Sequence, residues 1–478
     1  MTGAGARTGP EGFALPQGFR FGVETSGFGV EGHFNGPGDP HNNWYGWERD
    51  GRVEPSGIAV DFWHRYEDHL DRAAATGCDG FRLSVEWARC QPVEGEWDTT
   101  ALDRYAAIIA ACRERHLEPV VALHHFVHPS WLGEDFWLRL DSPECFAAWV
   151  AMAVGRIGHG VRNWITLHEI NTLALQTYLT GRFPPGRRLR VGEMVRATDH
   201  LLAAHVFGYA EIHRRHPDAV VTTNTRSGSI YELDRLLGDV LMSRVHGIAR
   251  ADLGRWLDGR RVDYHDAIGP VRTPTDRLAR GWARRWIPLE QALPRAVAAV
   301  YDSPHESTLD VTQLNSHAPS ANLPVSSHRY ISGGRSRASR THVWEDRPHA
   351  DGLRAMVAPN VAPQRDLWIV GNGIGTVVHN GRAHVRSDGW TRPRYLREHL
   401  RSMVEAIDGG QPIKGYYHRS LVDGYEWGSY GSRFGLFGVD RERGLRVSDT
   451  DAAGHDSAGT YRRIIGGLRA GDRSVLTS

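Results

Sequence analysis

The sequence predicts a single closed barrel of eight parallel β-strands with surrounding helices, the (β/α)₈ or TIM-barrel architecture of the α/β class. Short runs rich in β-branched and aromatic residues alternate along the chain with amphipathic helical segments. This alternation favours parallel βαβ units. Eight such runs can be counted, and eight is the number of strands that closes this barrel.

The strand candidates are separated by stretches long enough to hold a helix. They are residues 19–26, 81–87, 119–126, 164–170, 220–224, 309–317, 367–373 and 413–423. The clearest helix candidates between them are residues 61–77, 101–116, 142–158, 191–216 and 395–408. In 101–116, Leu102, Tyr105, Ile108 and Ile109 follow the i, i+3, i+4 spacing of a helix with one buried face.

Length and composition favour one soluble domain spanning residues 1–478, with a flexible segment at 1–15 and a long loop at 323–346. TIM barrels with insertions exceed roughly 400 residues as one domain. The formal net charge of +1 gives no sign of a nucleic-acid or anionic-membrane partner. No run reaches the roughly 18 apolar residues of a membrane span, and no secretory signal is visible, so we expect a cytoplasmic protein. The four cysteines form no Cys-x-x-Cys pair, which is against a zinc or redox motif.

Polar side chains cluster at the carboxyl ends of several predicted strands, where TIM barrels carry their active sites. These side chains are His124 and His125, His168 and Glu169, and Asn315 and His317. One such residue would fit a simple cap of the barrel mouth, whereas clusters on several strands predict a pocket. The histidines could also hold a metal, but their spacing matches no metal motif, so we predict neither a metal nor a cofactor.

Several motifs, in the same order along the chain, resemble family-1 glycoside hydrolases. Residues 164–171 (W-I-T-L-H-E-I-N) are similar to the acid/base motif W-x-T-x-N-E-P-N of that family, and residues 420–427 (S-L-V-D-G-Y-E-W) to S-L-x-D-N-x-E-W. Residues 21–26 (F-G-V-E-T-S), 81–87 (F-R-L-S-V-E-W), 123–126 (L-H-H-F) and 433–436 (R-F-G-L) add to the resemblance. It covers nearly the whole chain and implies the same barrel fold.

The resemblance implies a set of site residues. Glu169 takes the position of the general acid/base, with His168 and His317 as further catalytic candidates. His125, Glu426 and Trp427 take positions that bind the sugar. The complete set of predicted substrate-binding residues is Arg82, His125, Asn315, Trp344, Arg419, Glu426 and Trp427.

The resemblance breaks at the nucleophile. The family carries a glutamate on the seventh strand within I-T-E-N-G, whereas residues 369–373 read I-V-G-N-G and place Gly371 there. A glycine cannot attack an anomeric carbon, so double displacement through that position is unavailable. We expect about a glutamate's volume to be empty beside Gly371. The other changed pocket positions, relative to the family, are Gly29, His168, His317, Arg419 and Gly424.

These replacements predict a more positive pocket. With its usual carboxylate gone, Arg82 is expected to lack a partner and to attract an anion, such as a carboxylate or phosphate of the substrate. His168 and His317 could add charge if protonated. Glu169, with no ionised nucleophile nearby, is expected to be a carboxylate that acts first as a general base.

Three functions fit the sequence. The first is an enzyme acting on a small-molecule glycoside by a non-standard route, substrate-assisted cleavage or glycosyl transfer, with Glu169 as general acid/base. The second is a carbohydrate-binding protein without turnover. The third is acid/base chemistry on a non-glycosidic ligand in natural-product tailoring. The sequence leaves the oligomeric state open.

Overall fold

Nine parallel strand segments form the central sheet of this computed structural model. The structure describes residues 13–226, 230–267, 281, 293–315, 350–362, 364–379, 382–386 and 388–477. Outside this sheet, β9 (Thr376–His379) pairs antiparallel with β10 (Arg382–Ala383). The nine segments are β1 (Arg20–Glu24), β2 (Gly80–Ser84), β3 (Glu118–Ala122), β4 (Asn163–Ile165), β5 (Val220–Thr222), β6 (Asn224–Arg226), β7 (Thr312–Asn315), β8 (Leu367–Asn372) and β11 (Ile413–Arg419).

The segments close into a barrel because β5 and β6 are two halves of one strand. Only Thr223 separates them, and β5 pairs with β4 while β6 pairs with β7. Counted together they are the fifth barrel strand, so β7, β8 and β11 are the sixth, seventh and eighth. The remaining pairs run β4-β3-β2-β1-β11-β8-β7. The predicted (β/α)₈ fold is confirmed.

Several predicted strands are too long at their carboxyl ends. The fourth strand ends at Ile165 rather than at 170, and the eighth ends at Arg419 rather than at 423. Glu169 has a left-handed backbone with φ of 43°, and a helix begins directly after it at Ile170. The chain therefore turns out of the sheet where the polar motif residues stand, and those residues lie on turns at the barrel mouth.

Helices surround the barrel close to the predicted positions. The longer ones are Phe62–Ala75, Thr99–Glu114, Ser142–Ile157, Val191–Arg215, Leu253–Ala267, Pro294–Asp302, Ala350–Asn360, Arg392–Asp408 and Ser457–Arg469. The shorter ones are Gly27–Val30, Tyr45–Arg49, Trp87–Cys90, Ile170–Ala174, Tyr231–Asp234 and Leu236–Met242. Helix Thr99–Glu114 begins after Asp98, whose carboxylate accepts the Ala101 N–H at 3.0 Å. It buries the four apolar residues that the spacing predicted.

Side chains fill the inside of the barrel below the mouth. Val120, Ala122, Ile165, Val370 and Tyr417 form one buried cluster. The Tyr417 ring fits because β1 and β2 carry glycines beside it, and a Cβ on Gly22 would lie 2.5 Å from that ring. The barrel is thus a packed core, and a ligand has access only at its ends.

Most of the segment predicted to be flexible, 1–15, and all of the predicted long loop, 323–346, lie outside the described residues. Phe13, which is described, is buried. All four cysteines are free thiols. Across the described residues, no helix combines the length and apolar character that crossing a membrane requires.

We expect His205 to make the fold sensitive to acid. Its Nε2–H donates to the Thr308 carbonyl at 2.7 Å, and its Nδ1 accepts the Thr166 hydroxyl at 2.6 Å. Burial lowers the pKa of His205 to about 4. Between pH 6.5 and 4 the unfolded chain therefore binds a proton that the folded chain does not, so stability falls as the pH falls.

A shift from 6.5 to about 4 corresponds to about 3 kcal/mol of unfolding free energy lost by pH 4. In urea denaturation at pH 7 and pH 4, His205→Gln should reduce the loss on acidification by about that amount. His159→Gln, at an exposed histidine, is the control and should leave the loss unchanged. Equal pH dependence in both variants would contradict this assignment.

Candidate active site

The barrel mouth carries an alternating row of acidic and basic side chains on neighbouring strands. Glu24 is the last residue of β1 and stands in register with Arg82 of β2 on one side. On its other side it stands in register with Arg419, the last residue of β11. Arg419 in turn forms an ion pair with Glu426, which follows the eighth barrel strand. All four side chains are at least nine-tenths buried, so each charge depends on its neighbour.

Arg82 has a carboxylate partner, and the expectation that it lacks one is wrong. Its Nη1 donates to Glu24 Oε2 at 2.7 Å, and neither residue is more than 2% exposed. The carboxylate comes from the first barrel strand instead of the seventh. Because Glu24 compensates the guanidinium, Arg82 needs no anionic ligand to balance its charge.

Arg82 also fixes the protonation state of His168. Its Nη2 donates to His168 Nδ1 at 2.8 Å, and the Asn224 amide donates to the same atom at 3.2 Å. A nitrogen that accepts two hydrogen bonds carries no proton, so His168 is neutral with its proton on Nε2. A charged His168, which the sequence left open, is therefore excluded by its neighbours.

Glu169 lies at the mouth beside His168. Its Oε1 is 3.6 Å from His168 Nε2, and the residue is 2% exposed. Its backbone N–H donates to Asn224 Oδ1 at 2.7 Å, which supports the left-handed backbone at this position. A non-glycine residue in that conformation is strained, and such strain persists where surrounding contacts enforce it. Asn224 thus holds both members of the His168–Glu169 pair.

Arg419 lies within the electrostatic reach of all three carboxylates at the mouth. Burial lowers the pKa of Arg419, but Glu426, Glu24 and Glu169 outweigh burial and raise the pKa overall. Burial also raises the pKa of Glu426, and the adjacent Arg419 offsets only part of that rise. Arg419 borders a small cavity at the mouth together with Glu24 and Glu426.

Aromatic rings form one wall of the mouth. Trp427 packs against Phe126 with ring centroids 4.9 Å apart and against His125 at 5.2 Å. His125 in turn lies 3.9 Å from the His168 ring, and its Nδ1 is 3.2 Å from the Ser84 hydroxyl. The structure thus brings together Arg82, His125, His168 and Trp427 through direct contacts.

The backbone at Gly371 differs from the expectation of an empty space. Gly371 has φ of +61° and lies where β8 has two residues opposite one residue of β11, a β-bulge. A Cβ at this position would lie 1.9 Å from the side-chain oxygen of Asn315. The space that was predicted to be vacant is therefore taken by Asn315 at the end of β7.

The comparisons with known proteins identify the family. Residues 12–246 and 311–466 match the family model described as "Glycosyl hydrolase family 1". The chain belongs to this family.

Curated relatives of this family-1 chain are distant but matched over nearly their full length. It is 25% identical over 448 residues to 6-phospho-beta-galactosidase 1 of Streptococcus pneumoniae (strain ATCC BAA-255 / R6), covering 90% of this chain and 94% of that protein. It is 27% identical over 469 residues to 6-phospho-beta-galactosidase of Lacticaseibacillus casei, covering 89% and 94%. Among solved structures, beta-glucosidase from Thermotoga maritima with methoxycarbonyl-substituted glucoimidazole matches with a TM-score of 0.72 and 21% identity over 95% of this chain and 99% of that one. That structural match supports the fold alone.

Two predicted site residues of this family-1 chain, His317 and Trp344, lie outside the described residues. His124, which sequence placed at the mouth with His125, packs instead against Trp137 and Phe146. His125, the other histidine, contacts His168 and Trp427 at the mouth.

The sequence missed two residues of the site. Glu24 and Asn224 both stand at or next to the carboxyl end of a predicted strand, a signal that could have found them. Of the described residues, only His33, Asp61 and His64 bring three metal-ligating atoms within 4.8 Å of one another. None of these three was a predicted site residue.

We expect a side chain at Gly371 to be poorly tolerated. Gly371→Ala places a Cβ on a left-handed backbone, which lowers the unfolding free energy by about 1–2 kcal/mol. The clash of this Cβ with Asn315 lowers it by about 1–3 kcal/mol more. Gly389→Ala is the matched control, because Gly389 has φ of +74° and no atom within 4 Å of its Cβ position. Unfolding free energies from urea titration should therefore fall further for Gly371→Ala. Equal losses would mean that Asn315 leaves room for a side chain.

Proposed function

We propose that this family-1 chain is a glycoside-processing enzyme with Glu169 as its general acid/base and no carboxylate at position 371. The observation that carries the proposal is the position of Glu169. It is buried at the barrel mouth and oriented by Asn224, beside a neutral His168. A carboxyl group held in this way is suited to transfer a proton to or from a bound oxygen.

The charge of the mouth supports glycoside chemistry. The described residues there contribute three carboxylates (Glu24, Glu169 and Glu426) and two guanidinium groups (Arg82 and Arg419), while His168 is neutral. As Glu169 gives up its proton, the three carboxylates come to outnumber the two guanidinium groups, and negative charge is in excess. Glycosyl transfer passes through a transition state with oxocarbenium character, and preorganised negative charge stabilises it.

The relatives support the substrate class. The name of the curated relatives, 6-phospho-beta-galactosidase, describes enzymes that act on β-galactosides. We therefore propose that this chain also acts on a glycoside, without specifying its sugar. In the proposed site, the Trp427 and His125 rings lie along the sugar, and Glu426, Arg419 and Asn315 bind its polar groups. His317 and Trp344 remain predicted members of the site.

Glycine at position 371 supports a non-standard route. The bulge and the Asn315 side chain leave no room at this point for the carboxylate that aligned family motifs carry. Cleavage or transfer must therefore draw its attacking group from the substrate, an acceptor or another residue of the chain. A sugar-binding protein without turnover is the second candidate, since position 371 carries a glycine that cannot act as the nucleophile.

We expect Glu169→Gln to separate these two candidates. With 4-nitrophenyl β-glucoside, β-galactoside and β-galactoside 6-phosphate as probes, the wild type should release 4-nitrophenol from at least one. Glu169→Gln should lower kcat by about 10²–10⁴-fold while binding persists. The amide keeps the shape of the side chain but can neither give nor take the proton.

A matched control is Asp199→Asn. Asp199 is also a buried carboxylate, but it accepts the Ala296 N–H at 2.8 Å at the start of helix Pro294–Asp302. Its turnover per folded molecule should equal that of the wild type. Binding of the probes without conversion, unchanged in Glu169→Gln, would instead identify a sugar-binding protein.

A further inference from the structure

We propose that Glu24 supplies the second carboxylate of this site and acts as the nucleophile from the first barrel strand. The inference rests on the proposed function, because it assumes that a glycosidic bond is broken at the mouth. It begins with the buried pair of Arg82 and Glu24, whose Nη1 and Oε2 atoms are 2.7 Å apart. The family resemblance implies that this arginine faces the nucleophile, and here the carboxylate that it contacts is Glu24.

The barrel topology places Glu24 as favourably as a residue on the seventh strand. In a ring of eight strands, the eighth lies opposite the fourth, and the first and seventh flank the eighth on either side. Glu24 ends β1, and Gly371 is in the seventh strand, β8. Both strands are therefore three steps from β4, the strand that leads to Glu169. Moving the carboxylate from one flank to the other keeps it across the mouth from the acid/base.

The contacts of Glu24 leave one of its oxygens available. Oε2 is bound to Arg82, whereas Oε1 accepts no hydrogen bond from any residue that the structure describes. Glu24 also lines a small cavity at the mouth, together with His125, Arg419 and Glu426. One oxygen is thus anchored, and the carboxylate borders the space where a sugar ring would lie against Trp427 and His125.

Two guanidinium groups flank Glu24. Arg82 and Arg419 stand in register on its two sides, and Arg82 holds the Glu24 Oε2 atom at 2.7 Å. A nucleophilic carboxylate must be held in place while one of its oxygens forms the bond to carbon. The contact of Oε2 with Arg82 holds the group, and Oε1 is the oxygen that would form the bond.

The resulting step is balanced. Glu24 Oε1 forms a bond to the anomeric carbon while the bond from that carbon to the leaving oxygen breaks. The electron pair of that bond goes to the leaving oxygen, which takes the proton of protonated Glu169. Water or an acceptor hydroxyl then attacks the anomeric carbon, gives its proton to Glu169 and releases the Glu24 carboxylate.

The test traps the intermediate on the wild-type protein. We would incubate it with 2,4-dinitrophenyl 2-deoxy-2-fluoro-β-glucoside and the matching β-galactoside, which form the glycosyl ester rapidly and lose it slowly. Intact-mass spectrometry should show one added fluoroglycosyl group, and peptide mapping should place it on Glu24. An adduct on another residue would overturn the inference while leaving the proposed function intact.

Variants give an independent readout. Glu24→Ala should lower kcat for a converted aryl glycoside by at least about 1,000-fold. Sodium azide should restore turnover by attacking from the vacated side, and the glycosyl azide should have inverted anomeric configuration by proton NMR. Asp239→Asn, which disrupts another buried arginine–carboxylate pair away from the mouth, controls for lost stability and should keep its turnover per folded molecule.

The outcomes separate the two proposals. Turnover retained by Glu24→Ala, with no adduct on the wild type during conversion, would overturn the role of Glu24 and leave Glu169 as the acid/base. If Glu24→Ala does not fold, the wild-type adduct decides alone. Binding of every probe with neither turnover nor adduct would overturn both proposals.

Discussion

The buried guanidinium of Arg82 is the group around which the barrel mouth is organised. Removing a charge from water costs several kcal/mol, so the side chain is stable only with partners that use its donors. Glu24 takes one amino group, and His168 takes the other. These contacts join the first, second and fourth barrel strands. They also keep the proton of His168 on Nε2, the ring nitrogen that lies 3.6 Å from Glu169 Oε1.

The backbone of the mouth is as specific as its charges. Glu169 and Gly371 both adopt left-handed conformations, one where the chain leaves the fourth barrel strand and the other at a bulge in the seventh. Asn224 holds the first through the Glu169 N–H, and Asn315 fills the space beside the second. Restoring a glutamate at position 371 would therefore need a change of backbone as well as of side chain. The bulge at Gly371 and the Asn315 side chain thus form one packed arrangement.

The sequence predicted the architecture well because periodicity is a local property. The helix candidate 191–216 corresponds to the observed Val191–Arg215, and the candidate 142–158 to Ser142–Ile157. Strand ends were less accurate, because the residue pattern of a run such as 164–170 does not mark where the backbone leaves the sheet. The turn at Glu169 depends on a contact with Asn224, 55 residues away in sequence.

The partners at the site could not be predicted in the same way. Whether Arg82 meets a carboxylate depends on the register between β1 and β2, which the motifs do not encode. The missing glutamate at position 371 was therefore interpreted as a missing charge. In the folded chain, the negative charge beside Arg82 is present but comes from a different strand.

This relocation reverses the electrostatic character expected of the pocket. If Arg82 had no partner, the mouth would be positive and would favour an anionic substrate group. With Glu24 beside Arg82 and Glu426 beside Arg419, the described arginines are compensated, and Glu169 adds a further carboxylate. A site of this kind gains little from binding an anion but stabilises positive charge that develops on a sugar ring. Its electrostatics thus support the proposed glycoside chemistry, with Glu169 and Glu426 where the family motifs imply and Glu24 on the first barrel strand.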